Sequence, residues 1–133
     1  MSQESELYAK GLAIRKAVAG EEYVQRSLDD ATTFSAPLQA LVTEFAWGAV
    51  WGREELDRRT RSLLNIAMLT AMNRQTELAT HVQGALRNGC SVVEIREVLL
   101  QTAVYCGFPA ALEGFRTAAA ALAAAGVTLE KQA

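Results

Sequence analysis

The sequence predicts an all-α chain of about six helices, and three observations carry that prediction. No segment alternates apolar and polar residues with a period of two for long enough to make a strand. Several stretches instead repeat apolar residues at the three- and four-residue spacing of a helix. Glycines and capping residues then punctuate those stretches where helices would start or stop: Gly20, Gly89, Ser91, Gly107 and Gly126.

The first predicted helix covers residues 4–19, where Leu7, Tyr8, Gly11, Leu12, Ile14, Ala17 and Val18 recur at helical spacing and Gly20 supplies the stop. Residues 21–33 are mixed and polar and read as a connecting segment with at most one helical turn. Residues 34–50 form the second helix, with Pro37 tolerated in its first turn and Leu38, Leu41, Val42, Phe45 and Trp47 as its buried face. A turn at 51–55 follows. Asp57 is a suitable N-cap for a third helix ending near Met72. Its stretch LLNIAMLTAM is apolar on almost every side. After the short link 73–75, a fourth helix carries His81 and ends at Asn88-Gly89. Ser91 and Glu94 make a capping box, in which each side chain covers a backbone N–H at the start of a fifth helix. That helix breaks at Gly107-Phe108-Pro109. The last helix spans 110–125, with Pro109 in its first turn and Gly126 as its stop.

The 133 residues suit one domain with a single modest core. A formal net charge of −2 gives no electrostatic case for nucleic acid or an anionic membrane. No apolar run reaches the roughly 18–20 residues of a membrane span. The polar, acidic start MSQESELYAKG is unlike a signal or transit peptide, so a reducing cytoplasm is the expected location. Cys90 and Cys106 are 16 positions apart, the spacing of neither a redox pair nor a zinc knuckle. A buried, inert thiol is expected of each. With a single histidine in the chain, no recognised zinc-binding pattern can be built.

His81 is the first candidate for chemistry, because an imidazole near neutrality can act as acid or base. It has Leu78 and Ala85 as apolar neighbours one turn away and Glu77 four residues before it. The plain alternative is a hydrogen-bonded core histidine. Arg53, Arg58, Arg59 and Arg61 form the densest cationic stretch, suited to gripping carboxylates. They can equally be a solvated face paired with Glu54, Glu55 and Asp57. Trp47 and Trp51, four apart on one helix face, can wall a flat unsaturated ring, as can Tyr105; core or subunit interface is the alternative.

The segments FAWGAVW, DRRTRSLLNIAML, ELATHVQGALRNG and EIREVLLQTAVYCGFPAA, with the N-terminal YAKGLAIRKAVAGEEYVQRSL, together resemble the carboxymuconolactone decarboxylase family. The resemblance spans roughly residues 5–123, and the order and spacing of its segments make it specific. It implies an alkylhydroperoxidase D-like helical fold in a single domain over 1–133. The core would cover about 34–123, preceded by a helical extension over 4–33. It also implies a homo-oligomer, hexamer or trimer, and a reaction without metal or organic cofactor. That reaction would be loss of carbon dioxide from 4-carboxymuconolactone to give 3-oxoadipate enol-lactone, a step of protocatechuate degradation in the beta-ketoadipate pathway. The partner would be a small lactone dicarboxylate, with no nucleic acid and no membrane involved.

His81 matches the family's histidine. The peroxidase relatives carry a Cys-x-x-Cys before it, where this chain reads Glu77-Leu78-Ala79-Thr80, which argues against thiol peroxidase chemistry. The resemblance then implies that His81 supplies the proton or stabilises the oxyanion. Glu44 or Glu77 would orient or balance it. One or more of Arg53, Arg58, Arg59 and Arg61 would hold carboxylate, and Trp47, Trp51 and Tyr105 would wall the ring. Two other classes stay open: a hydroperoxide reductase using Cys106 alone, and a helical oligomerisation or binding module without catalysis.

Overall fold

A computed structural model describes residues 5–133; residues 1–4, the start of the polar N-terminal stretch, lie outside the described residues. The described residues form seven α-helices and one π-helical segment, with no strand. In order they are α1 (Glu6–Ala19), α2 (Glu21–Asp29), α3 (Ala36–Leu41), the π segment (Val42–Val50), α4 (Arg58–Ala71), α5 (Gln75–Arg87), α6 (Val92–Cys106) and α7 (Phe108–Ala124). None is long and apolar enough to cross a membrane. The chain divides into two units at the Arg58/Arg59 junction.

Unit one is built on α1 and the π segment, which meet backbone to backbone. Glycine makes this possible. A Cβ on Gly11 would lie 1.9 Å from the Thr43 carbonyl oxygen, and one on Gly48 would lie 2.5 Å from the Leu7 oxygen. The core of this unit comprises Ile14, Val18, Ala19, Val24, Trp47 and Trp51. Arg15 is buried here too, and its guanidinium donates to Thr43 Oγ1 at 3.0 Å. Burial lowers its pKa, against the opposing influence of Tyr23 and Tyr8.

Two details of this unit differ from the sequence reading. The connecting segment expected over 21–33 is mostly the helix α2, entered directly from Gly20 at φ 102°. Only Val24 is fully buried and only Leu28 backs it, so the apolar periodicity that would announce a helix is faint. Side-chain bonds support it instead: Gln25 Nε2 donates to Asp29 Oδ1, and Lys16 Nζ donates to Gln25 Oε1. The helix expected over 34–50 is a short α-turn followed by the π segment. There the Trp51 N–H reaches the Ala46 carbonyl, five residues back, at 3.0 Å. The wider turn shifts which side chains point inward. Thr43, Trp47 and Gly48 are buried, whereas Leu38, Leu41 and Phe45 are exposed.

Unit two holds α5, α6 and α7 around a core of Ile66, Leu78, Val82, Ala85, Cys90, Ile95, Leu99, Ala118, Ala121 and Leu122. The small residues of α7 let α5 and α6 pack closely on it. The helix ends follow their sequence signals. Gly89 at φ 87° closes α5: the Cys90 N–H bonds the Ala85 carbonyl and the Gly89 N–H bonds the Leu86 carbonyl. The capping box is complete, with Glu94 N–H donating to Ser91 Oγ and Ser91 N–H donating to Glu94 Oε1. Asn88 Nδ2 donates to the buried Ser62 Oγ at 2.9 Å and ties the end of α5 to α4. Cys90 is buried as expected, and its thiol donates to the Arg59 carbonyl. Cys106, also expected buried, is exposed at the end of α6.

Candidate active site

His81 sits on α5, whose Leu78, Val82 and Ala85 enter the core of unit two. That anchoring leaves His81 half-buried on a flank of the helix. Asn65, from α4, meets it there, with 3.4 Å between Asn65 Nδ2 and His81 Nδ1. Removing the ring from water disfavours the imidazolium, so the pKa of His81 falls below its ordinary value of 6.5. Glu77, one turn earlier on α5, pulls the other way but more weakly. The net effect is a neutral imidazole at neutral pH.

Arg61 precedes Asn65 by four residues and shares its face of α4. Its Nε is buried with no hydrogen-bond partner. A buried guanidinium N–H left unpaired costs free energy that an acceptor would recover. The other arginines are placed differently. Arg59 is ion-paired with Glu94, the capping-box residue of α6. Arg53 pairs with Glu55 at 3.6 Å in an exposed position. Arg58 is exposed on the first turn of α4.

In unit one, Trp47 and Trp51 stack with centroids 4.8 Å apart and planes at 28°, and only 6% and 8% of each remains exposed. The edge of Trp51 lines a cleft of about 360 Å³ shared with Lys10, Arg53, Glu54, Asp57 and Arg58. Three cations face two carboxylates there, a balance that favours an anion. Lys10 Nζ donates to the Gly52 carbonyl, which holds the 51–55 turn. Glu44 is half-buried in the π segment and accepts a hydrogen bond from Ser5 Oγ at 2.9 Å.

Tyr105 is 78% exposed and belongs to a different surface. With Leu64, Met68, Val93 and Cys106 it lines a broad apolar groove of about 710 Å³ between α4 and α6. Its polar content is slight, and His81 is not among its lining residues.

The site residues read from sequence therefore fall into three groups. Trp51, Arg53 and Arg58 share the cleft of unit one, with Trp47 stacked behind and Glu44 bonded to Ser5. His81 and Glu77 share α5 in unit two, and Arg61 lies on the Asn65 face of α4. Arg59 and Tyr105 belong to the side where α4 and α6 adjoin. Asn65 was not singled out by the sequence. The available signal was a lone amide within the apolar run LLNIAML, four residues after Arg61.

The sequence model of the carboxymuconolactone decarboxylase family matches residues 36–125. A nitrosuccinic acid decarboxylase, npaB, of Metarhizium robertsii is 47% identical over 107 residues, which cover 80% of this chain and 75% of that protein. A 4-carboxymuconolactone decarboxylase of Acinetobacter baylyi is 37% identical over 128 residues, covering 96% of each chain.

Proposed function

Because the chain belongs to the carboxymuconolactone decarboxylase family, we propose that it is a carboxy-lyase converting 4-carboxymuconolactone to 3-oxoadipate enol-lactone. The observation that carries this reading is the match to a 4-carboxymuconolactone decarboxylase along 96% of both chains. The biological setting we assign is protocatechuate degradation in the cytoplasm.

The substrate supplies its own electron sink. Its departing carboxylate is on the ring carbon gamma to the lactone carbonyl, across a carbon–carbon double bond. As carbon dioxide leaves, the bonding pair moves through that double bond onto the carbonyl oxygen, giving a furanolate-like dienolate. A proton then returns to ring carbon. The protein has to hold the acetate arm, stabilise the oxyanion and let the proton in. We assign the oxyanion to His81 and a substrate carboxylate to Arg61, whose unpaired Nε is the supporting observation. Glu77 tunes the charge at His81. Unit one has a cationic cleft of its own at Arg53 and Arg58, with the Trp47–Trp51 stack in the core behind it. Glu44 steadies the π segment that carries Trp47 and leads into Trp51. Arg59 is committed to Glu94, and Tyr105 to the apolar groove.

We also propose that the two units form one working domain over 1–133 and that the protein assembles as a homo-oligomer, hexamer or trimer. Support for assembly comes from large apolar side chains left in solvent on three helices of unit two, among them Met68, Val104, Tyr105 and Phe108.

The 47% identity to a nitrosuccinic acid decarboxylase favours a second reading, in which nitrosuccinic acid is the substrate. The chemistry is parallel. Loss of carbon dioxide from the nitro-bearing carbon leaves a nitronate, again a charge delocalised onto oxygen. In both acids the carbon that loses carbon dioxide also carries a –CH2–COO⁻ arm. One anion anchor and one oxyanion donor would serve either. The test is to offer each acid separately to purified protein without added metal or thiol, following the lactone by ultraviolet absorbance and the nitro acid by proton NMR. Turnover of the lactone with the nitro acid inert establishes the first reading, and the reverse establishes the second. Inertness toward both refutes the proposed activity.

A further inference from the structure

His81 could serve the oxyanion in two chemically distinct ways. As an imidazolium it would be an acid able to give up a proton. As a neutral ring it would be a hydrogen-bond donor only, because deprotonating a neutral imidazole is far too costly at ordinary pH. Three features of unit two decide between these.

The first is the partner on the ring. The nitrogen of the Asn65 side-chain amide faces His81 Nδ1 at 3.4 Å. With the amide turned this way its nitrogen can only donate, which makes Nδ1 the acceptor and favours the hydrogen on Nε2. The second is burial: the ring is half-buried beside Leu78 and Ala85, which disfavours placing a charge on it. The third is a second tie between the supporting helices. Asn65 is flanked by Ile66, a fully buried core residue, and Ser62 on the same helix is tied to Asn88 at the end of α5. That bond joins the helices that carry Asn65 and His81 at a second point, at the end of α5.

We propose that Asn65 is a positioning residue that sets the tautomer of His81, holding the hydrogen on Nε2 so that the histidine acts as a neutral N–H donor to the reaction's oxyanion. Hydrogen bonds to the second ring nitrogen are a general way of fixing which nitrogen does the work. On this account carbon dioxide leaves, the electron pair settles on the carbonyl or nitro oxygen, and Nε2–H stabilises that oxygen without transferring its proton. The proton that later reaches carbon comes from solvent water. The donor role rests on the decarboxylase reading above; the tautomer assignment does not.

His81 is the only histidine in the chain, so one pair of ring-nitrogen resonances reports on it without assignment. The experiment is long-range proton–nitrogen correlation NMR on protein labelled with nitrogen-15 histidine, at about pH 8 where an imidazole is neutral. The expected spectrum has Nδ1 at the downfield position of an unprotonated nitrogen and Nε2 at the upfield position of a protonated one. In Asn65→Asp the carboxylate accepts from Nδ1–H, so the two positions exchange. In Asn65→Leu they move toward each other as the tautomers mix. With the substrate identified, Asn65→Asp should lower kcat about 100-fold or more, the scale of losing one oxyanion donor, with KM changed far less. A wild-type spectrum with Nδ1 protonated, or with both nitrogens averaged, overturns the assignment, and so does an unchanged pattern in both variants. The expected spectra with wild-type kcat in Asn65→Asp overturn the donor role. The expected spectra with neither acid turned over refute the decarboxylase reading and leave the tautomer assignment upheld.

Discussion

Arg61, Asn65 and His81 show how a small polar set is placed by apolar neighbours. Each is on a helix whose other faces are anchored in the core, through Ile66 on α4 and through Leu78, Val82 and Ala85 on α5. Burial of His81 makes a prediction about stability. Its folded-state pKa lies below the ordinary 6.5, so the unfolded chain binds the proton more readily. The stabilisation from its neutral form is present above pH 6.5 and is lost as pH falls through the folded value. Thermal unfolding from pH 8 to pH 5 should therefore show a larger fall in Tm for the wild type than for His81→Gln. Equal falls would mean His81 is not desolvated. Arg61 makes a second prediction. Replacing it by Met removes a charged hydrogen bond to the substrate, about 2–3 kcal/mol, so kcat/KM should fall ~30-fold or more, mostly through KM. Steady-state kinetics beside circular dichroism would check this, and near-wild-type kinetics would remove Arg61 from the anchoring role. His81 was legible from the sequence because it is a lone histidine beside apolar neighbours. Asn65 was not, since its importance depends on which face of α4 meets α5.

Among the elements, α1 and the π segment depend most on a single contact. Gly11 and Gly48 permit it, and no side chain other than hydrogen fits at either. Gly11→Ala should force the two backbones apart and cost about 2 kcal/mol or more, readable as a lower urea midpoint with unchanged slope. An unchanged midpoint would mean that the contact can relax freely. The elements best read from sequence were those with chemical punctuation. The capping box at Ser91/Glu94 and the glycine stops at Gly20, Gly89 and Gly126 all lie where their residue types require. Elements without such marks were harder. α2 has little apolar face to display. The π segment follows from i→i+5 bonding that leaves no periodic trace at the 3.6-residue spacing, so the sequence points Leu38, Leu41 and Phe45 to a buried face they do not occupy.

At the scale of the whole molecule, unit two leaves Leu64, Met68, Val93 and Tyr105 around an apolar groove of about 710 Å³. A charge in that groove should be tolerated by the fold, because the positions are exposed, but not by a subunit contact made there. Met68→Glu should therefore retain its helical circular dichroism and elute as a smaller species in size-exclusion chromatography. An unchanged elution volume would place the contact on another surface. We propose that this molecule removes carbon dioxide from an acid whose remaining charge is delocalised onto oxygen, with His81 stabilising it. The most direct measurement is release of labelled carbon dioxide from carboxyl-labelled 4-carboxymuconolactone by wild type and His81→Ala side by side. The wild type should release one carbon dioxide per lactone consumed, and the variant should do so ~100-fold or more slowly with its oligomeric state unchanged. Stoichiometric release at more than a third of the wild-type rate by His81→Ala would contradict it.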